Sequence, residues 1–285
     1  MTNGYVPIDE VAGQGKSYRL WRKPPISQGN PNIILVHGAI APFFGELHDP
    51  NTINNNRFGF YDLDSLLYED FHYNVFTFEY ADESVGELGY VNYNRLDIYG
   101  DRLIDAIRIA KEKSKKPDGT VGPVTVIAFS MGGLIARYAA KCMPGTVNKI
   151  ITLETGHFGF ELANFIEKLW HLAGMSQPAL TYDQDVEEGS AFINKLNEGF
   201  DAYNPRLVSL AAGDPVPLPL PPPANSIWVA AWHSSSMGQI DDKGNPTPSD
   251  YNIPFCKLPN YNHATISRIT NSSHPVYQKI KEYLG

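Results

Sequence analysis

The stretch VTVIAFSMGGLIARYAA, residues 124 to 140, places one serine between a β-branched run and a helical pattern. Val124 to Ala128 suit a strand. Leu134, Ile135, Tyr138, Ala139 and Cys142 then recur at 3.6-residue spacing almost at once. The connection is too short for an ordinary loop, so Ser130 must sit on the turn itself, with its hydroxyl expected to point outward. Ala128-x-Ser130-x-Gly132 is a near-match to the nucleophile elbow G-x-S-x-G, in the strand–turn–helix context that motif requires. The bland alternative is a serine that caps the helix. A serine hydroxyl is a poor nucleophile at its ordinary pKa and needs a base and an oxyanion site. The Met131 N–H, at a helix N-terminus where donors lack partners, can supply half of that site. An earlier strand, Ile33 to Val36, ends in His37-Gly38, and the N–H of Ala39 can supply the other half. His37 beside that turn reads as structural rather than as a base. The chemistry this pattern allows is acyl transfer.

Several elements must position these groups. Strand candidates are Ile33 to Val36, Val75 to Phe78, Val124 to Ala128, Lys149 to Leu153, Leu207 to Leu210, and Ile227 to Trp232. Continuously apolar runs of this kind suit strands covered on both faces of a parallel sheet. Helical stripes lie between them. One runs through Leu96, Tyr99, Leu103, Ile107 and Ala110, another from Met131 to the stop at Pro144-Gly145, a third over 160 to 174, and a last over 274 to 284. Alternating strands and helices predict an α/β doubly wound sheet, mostly parallel and flanked by helices, in one domain over 1–285. Residues 158 to 203 exceed a simple crossover and are expected to form a small cap or lid. The proline run at 215 to 224 reads as a stiff loop on the rim.

The chain has 285 residues, 31 acidic against 23 basic, and a formal charge of −8. That balance disfavours nucleic acid and anionic membrane surfaces as partners. The lysines of 111 to 116 fit a solvated helix end. Cys142 falls on an apolar stripe and is expected in the core, and nothing in the spacing demands a bridge to Cys256. No Cys/His cluster has zinc spacing, so no metal is expected. The acidic run 183 to 189 reads as a solvated turn or helix start rather than a calcium site. The first sixteen residues carry no apolar signal region, and no run approaches the length of a membrane span, so a cytoplasmic location is the expectation.

LVHGA (35 to 39), AFSMGGLIARYAA and LETGHFGFELANFI (153 to 166), in this order, resemble the oxyanion turn, nucleophile elbow and post-strand segment of α/β-hydrolases of the bacterial lipase and esterase type. Gly156 stands where that group has proline and Phe160 where it has serine. YNHATISRI (261 to 269) resembles the catalytic-histidine segment. The resemblance implies an α/β-hydrolase fold and a serine hydrolase cleaving carboxylic esters, a lipase or carboxylesterase of lipid metabolism, with no cofactor. Amidase, lactonase or acyltransferase chemistry on the same groups is the alternative, as is a catalytically silent binding protein with this fold.

The base then belongs late in the chain. Of eight histidines, His263 has the best address, before the final helix, and His233 is second. His274 reads as a helix-cap residue and His157 as locally packed, while His48, His72 and His171 have no motif context. The acid, which fixes the imidazole tautomer, commonly follows the seventh strand, and Asp214 holds that place. Asp241, Asp242 and Asp250 are alternatives shortly before the histidine, with ordinary Asx turns as their bland reading, and Glu154 after Leu153 is a distant option. Phe43, Phe44, Phe158 and Phe160 suggest an apolar or lipid-like ester as substrate.

Overall fold

The computed structural model describes residues 6–8, 18–38, 60–80, 95–159, 183–200, 206–217, 226–227, 232–243 and 245–285. The strands are β1 (Val6–Pro7), β2 (Arg19–Arg22), β3 (Asn32–Val36), β4 (Asn74–Glu79), β5 (Val124–Phe129), β6 (Lys149–Leu153), β7 (Arg206–Ala212), β8 (Val216–Pro217), β9 (Ser226–Ile227) and β10 (Phe255–Leu258). Between them lie helices α1 (Leu63–Phe71), α2 (Leu96–Lys113), α3 (Met131–Cys142), α4 (Asp183–Val186), α5 (Ala191–Asn197), α6 (Trp232–Ser235) and α7 (Pro275–Leu284). Eight strands form one sheet in the order β1-β2-β4-β3-β5-β6-β7-β10. From β4 to β10 every pairing is parallel, whereas β1–β2 and β2–β4 are antiparallel. The chain runs from β3 to β4 on one side and then crosses to β5 on the other. The carboxyl ends of β3 and β5 therefore flank a topological switch point, where ligand crevices of open α/β sheets lie.

Alternation along each central strand divides the core. Ile34, Val36, Val124, Val126 and Ala128 face one side, with the buried stripes of α2 and α3. Ile33, Leu35, Ile127, Ile151 and Leu153 face the other, with α1 and α7. Both faces of β3 and β4 are buried throughout, as their uninterrupted apolar runs require. Leu96, Tyr99, Leu103, Ile107 and Ala110 all lie in the core, so the expected helix stands and extends to Lys113.

Three elements escaped the periodicity. Strand β2 is RLWR, only two apolar residues between two arginines near the sheet's antiparallel end, and β10 is FCKL on the edge opposite β1. Edge strands have one solvated side and carry no continuous apolar run. Helix α1, LDSLLYEDF, is only nine residues long. In the expected strand 227 to 232, Ser226–Ile227 pairs with Val216–Pro217, and Trp232 already opens α6, while 228 to 231 lie outside the described residues. The expected helix at 160 to 174 also lies outside them. Within the expected cap, Ile193, Leu196 and Phe200 join the main core, and Arg137 of α3 donates to Asn197 Oδ1 at 2.6 Å. Cys142 corrects another expectation: it is exposed at the last turn of α3, and both thiols are free. Among the described residues, no helix is long and apolar enough to cross a membrane.

Candidate active site

Strand β5 ends at Phe129 and α3 begins at Met131, so Ser130 alone makes the turn. Its backbone takes φ 54° and ψ −128°, on the left-handed side that a residue with a Cβ rarely occupies. Three hydrogen bonds hold it there. Its N–H donates to the Leu153 carbonyl at 2.9 Å, and its carbonyl accepts from the Gly133 N–H at 3.0 Å and the Thr155 hydroxyl at 2.8 Å. The side chain makes no capping bond, which removes the bland reading of this serine. Such a tight turn drives α3 against the end of β3. A Cβ on Gly132 would lie 2.5 Å from the His37 carbonyl oxygen and 2.7 Å from that of Val36, and one on Gly38 would lie 2.8 Å from Ser130 Cβ. Glycine at both positions lets the turn after β3 and the turn at Ser130 touch.

The residue is only 2% exposed. The expectation of a hydroxyl standing proud is thus corrected: Ser130 is nearly covered where the end of β3 approaches α3. Met131 opens the first turn of α3, where N–H groups have no intrahelical acceptor. Ala39 lies outside the described residues. His37, just before it, is a structural ring as expected. It stacks on Tyr80 at 4.1 Å and 3°, its Nε2 faces the Tyr80 N–H at 3.4 Å, and its Nδ1 faces the Gly38 carbonyl at 2.8 Å. Those partners fix a neutral ring with the proton on Nδ1. The Tyr80 hydroxyl donates to the His37 carbonyl at 2.9 Å, tying the oxyanion turn to the end of β4.

His263 enters from the loop after β10. Asn262 and Thr265 knot that loop, with the Asn262 N–H donating to Thr265 Oγ1 at 2.9 Å and the Thr265 N–H to the Asn262 carbonyl at 3.0 Å. The imidazole meets the ring of Phe129, the residue before Ser130, at 4.9 Å. It is buried, and neither ring nitrogen has a hydrogen-bond partner among the described residues. Burial pushes its pKa down to about 3, so the ring is a neutral base.

Asp214 follows β7 as expected, but its carboxylate is exposed and does not reach the ring. Only its backbone engages the histidine loop, its N–H donating to the Tyr261 carbonyl at 2.9 Å. Among the alternatives, Asp241 closes an Asx turn on the N–H groups of Lys243 and Asn245, at 2.9 and 2.8 Å, and Asn245 holds its carboxyl below the usual range. Asp242 accepts the His233 N–H at 3.2 Å, and Asp250 is exposed. The His233 ring packs on Phe158 at 5.3 Å. His157 is locally bonded, its Nε2 on Thr152 Oγ1 at 3.2 Å, and burial drives its pKa well down. His274 is the N-cap residue of α7, and His72 closes α1. Phe43, Phe44, Phe160, His48 and His171 lie outside the described residues.

One group outranks its place in the sequence reading. Glu154 directly follows β6, is 1% exposed, and has φ 50°. Its side chain accepts from the Ala212 N–H, and burial pushes its pKa up to about 8. An acid immediately after the apolar run ITL was the available signal, the same signal that singled out Asp214 after SLAAG.

Comparison with solved structures bears on this arrangement. The mature lipase BlEst2 of Bacillus licheniformis is similar at TM-score 0.53 and 15% identity, over 92% of this chain and 97% of that one. A lipase-esterase related protein of Clostridium acetobutylicum matches at 0.52 and 15%, over 94% and 99%. The chain has the α/β-hydrolase fold. Phospholipase PlaB of Legionella pneumophila is also similar, at 0.55 and 15%, over 88% of this chain but 58% of that one. No protein-family model and no curated protein matches the sequence. Within this hydrolase fold Ser130 ends the fifth strand of the sheet's order and His263 follows its last.

Two outcomes test the geometry. Gly132→Ala should lower stability by about 1–3 kcal/mol through overpacking against backbone oxygens, although alanine favours a helix by about 1 kcal/mol; a urea midpoint at or above that of the parent would refute the close approach. The second concerns proton linkage. The His263 pKa of about 3 lies below its ordinary 6.5. Its contribution is therefore full above about 6.5 and falls as the pH drops towards about 3. Denaturation of the parent between pH 6 and 4 should steepen by about 1.4 kcal/mol per pH unit relative to His263→Gln. Parallel slopes would show that the ring is not buried neutral.

Proposed function

We propose that the protein is a serine hydrolase of the lipase and carboxylesterase type, cleaving carboxylic esters of apolar or lipid-like character through an acyl-enzyme. The observation that carries this reading is the left-handed Ser130 at the N-terminus of α3, facing the Gly38 turn across the switch crevice. A strained residue that the surroundings over-determine is what a positioned nucleophile requires. Ser130 Oγ attacks the ester carbonyl while His263, neutral and therefore able to accept, takes its proton. The Met131 N–H, and that of Ala39, stabilise the tetrahedral oxyanion where the low local dielectric makes each donor count most. His263 then protonates the leaving alcohol, and water releases the acyl group by the same route reversed. No cofactor takes part.

The near-complete burial of Ser130 and an imidazole without a hydrogen-bond partner among the described residues favour a second reading, a protein with the hydrolase fold that does not turn over. Amide, lactone or acyl-acceptor chemistry on the same groups would be separated by a panel of chromogenic esters and amides with and without an added alcohol. Ser130→Ala should abolish both ester hydrolysis and labelling by a fluorophosphonate, with an unchanged circular dichroism spectrum. Retention of most of the activity by this variant would refute Ser130 as nucleophile. A folded parent that neither labels nor hydrolyses would establish the silent reading instead.

A further inference from the structure

We infer that Glu154, rather than Asp214, is the carboxylate that positions His263 and carries its counter-charge; the inference rests on the serine-hydrolase reading above. The argument begins with register. Phe129 of β5 pairs with Leu153 of β6, so one step further Ser130 stands opposite Glu154. Both residues are buried and both have left-handed φ, 54° and 50°. Each extends its own ladder by one bond: the Ser130 N–H donates to the Leu153 carbonyl of β6 at 2.9 Å, and the Glu154 N–H to the Leu210 carbonyl of β7 at 2.7 Å. Adjacent strands lie about 5 Å apart, so the carboxyl-bearing residue is the nucleophile's immediate neighbour.

Strand order then places the imidazole. His263 comes from beyond β10, yet its ring contacts Phe129 of β5 at 4.9 Å. In the order β5-β6-β7-β10 it can do so only by passing over the ends of β7 and β6. Glu154 ends β6, and its carboxyl is fixed on the end of β7 by the Ala212 N–H. The Trp232 indole N–H donates to the Ala212 carbonyl at 2.9 Å, pinning the same peptide from the other side. The Glu154 carboxyl and the His263 ring nitrogens, which have no hydrogen-bond partner among the described residues, are thus both buried at the strand ends that the histidine loop crosses. Asp214 is exposed and contributes only a backbone bond.

The proton count balances. As the Ser130 oxygen bonds to the carbonyl carbon, the hydroxyl proton passes to one ring nitrogen of His263. The proton on the other ring nitrogen is held by ionised Glu154, so the new imidazolium is paired with an existing carboxylate, the one new negative charge is the oxyanion at the Met131 N–H, and no proton leaves the site. Each partner alone is disfavoured as an ion by burial, with Glu154 raised and His263 lowered. Together each supplies the counter-charge that the other lacks. Glu154 acts through His263 and is a positioning residue.

The test uses the full chain and a short-chain chromogenic ester, with Glu154→Gln, Glu154→Asp and Asp214→Asn compared after circular dichroism and thermal melting. Glu154→Gln should lower kcat by about 100-fold or more with KM little changed, and Glu154→Asp should restore much of that loss, a rescue that a purely structural role does not give. Asp214→Asn should lose far less than Glu154→Gln. The reverse ranking, or a Glu154→Gln variant close to the parent, overturns the inference. If Glu154→Gln fails to fold, Asp214→Asn decides: a loss of about 100-fold or more overturns it, and near-parental turnover supports it. A parent that neither hydrolyses the ester nor labels at Ser130 removes the hydrolase reading itself, an outcome seen before any variant is measured.

Discussion

The whole site depends on one residue making the turn from β5 to α3. A non-glycine residue with positive φ costs about 1–2 kcal/mol, and Ser130 is kept there because each backbone polar group it owns has a partner. Those partners come from β6, from the first turn of α3 and from Thr155. The turn therefore forms only when three elements are already assembled. The same compression brings α3 against β3, which only glycine at 132 permits. The nucleophile's position is a property of the packed sheet and not of the local sequence.

Burial sets the electrostatics around that turn. Ser130, Glu154 and His263 are each almost fully buried. In such surroundings an isolated charge is disfavoured, so the acid and the base are driven towards their neutral forms. Fixed dipoles at the head of α3 act in these surroundings with little solvent screening.

The sequence made the central, buried part of this architecture legible. Runs such as IILV and VTVIA announce strands covered on both faces, and the abrupt switch of period at Ser130 announces the elbow. Legibility faded at the sheet's edges. Strand β2 offers only Leu20 and Trp21 between two arginines, and β10 is a four-residue edge strand, so neither carries an apolar run long enough to stand out. Cys142 shows the same limit from the helical side: periodicity puts it on the apolar stripe of α3, but the helix has by then run past the sheet, and the residue is exposed. His263 could be chosen among the histidines because its address, after the last strand and before the last helix, is topological. The acid could not, because Asp214 and Glu154 both follow apolar strands directly. Exposure separates them, and exposure is a property of the assembled loops.

That ambiguity has a geometric root. A parallel sheet gathers all its carboxyl ends on one edge, so any strand there can lend a side chain to the same crevice. The reach required differs with the strand. A glutamate directly after β6 lies one strand from Ser130, whereas a residue after β7 lies two strands away. The longer glutamate side chain matches the shorter separation only because it folds back to the Ala212 N–H instead of extending. A carboxyl fixed in this way is held in one orientation, and a fixed orientation lets a buried group stabilise charge without reorganising.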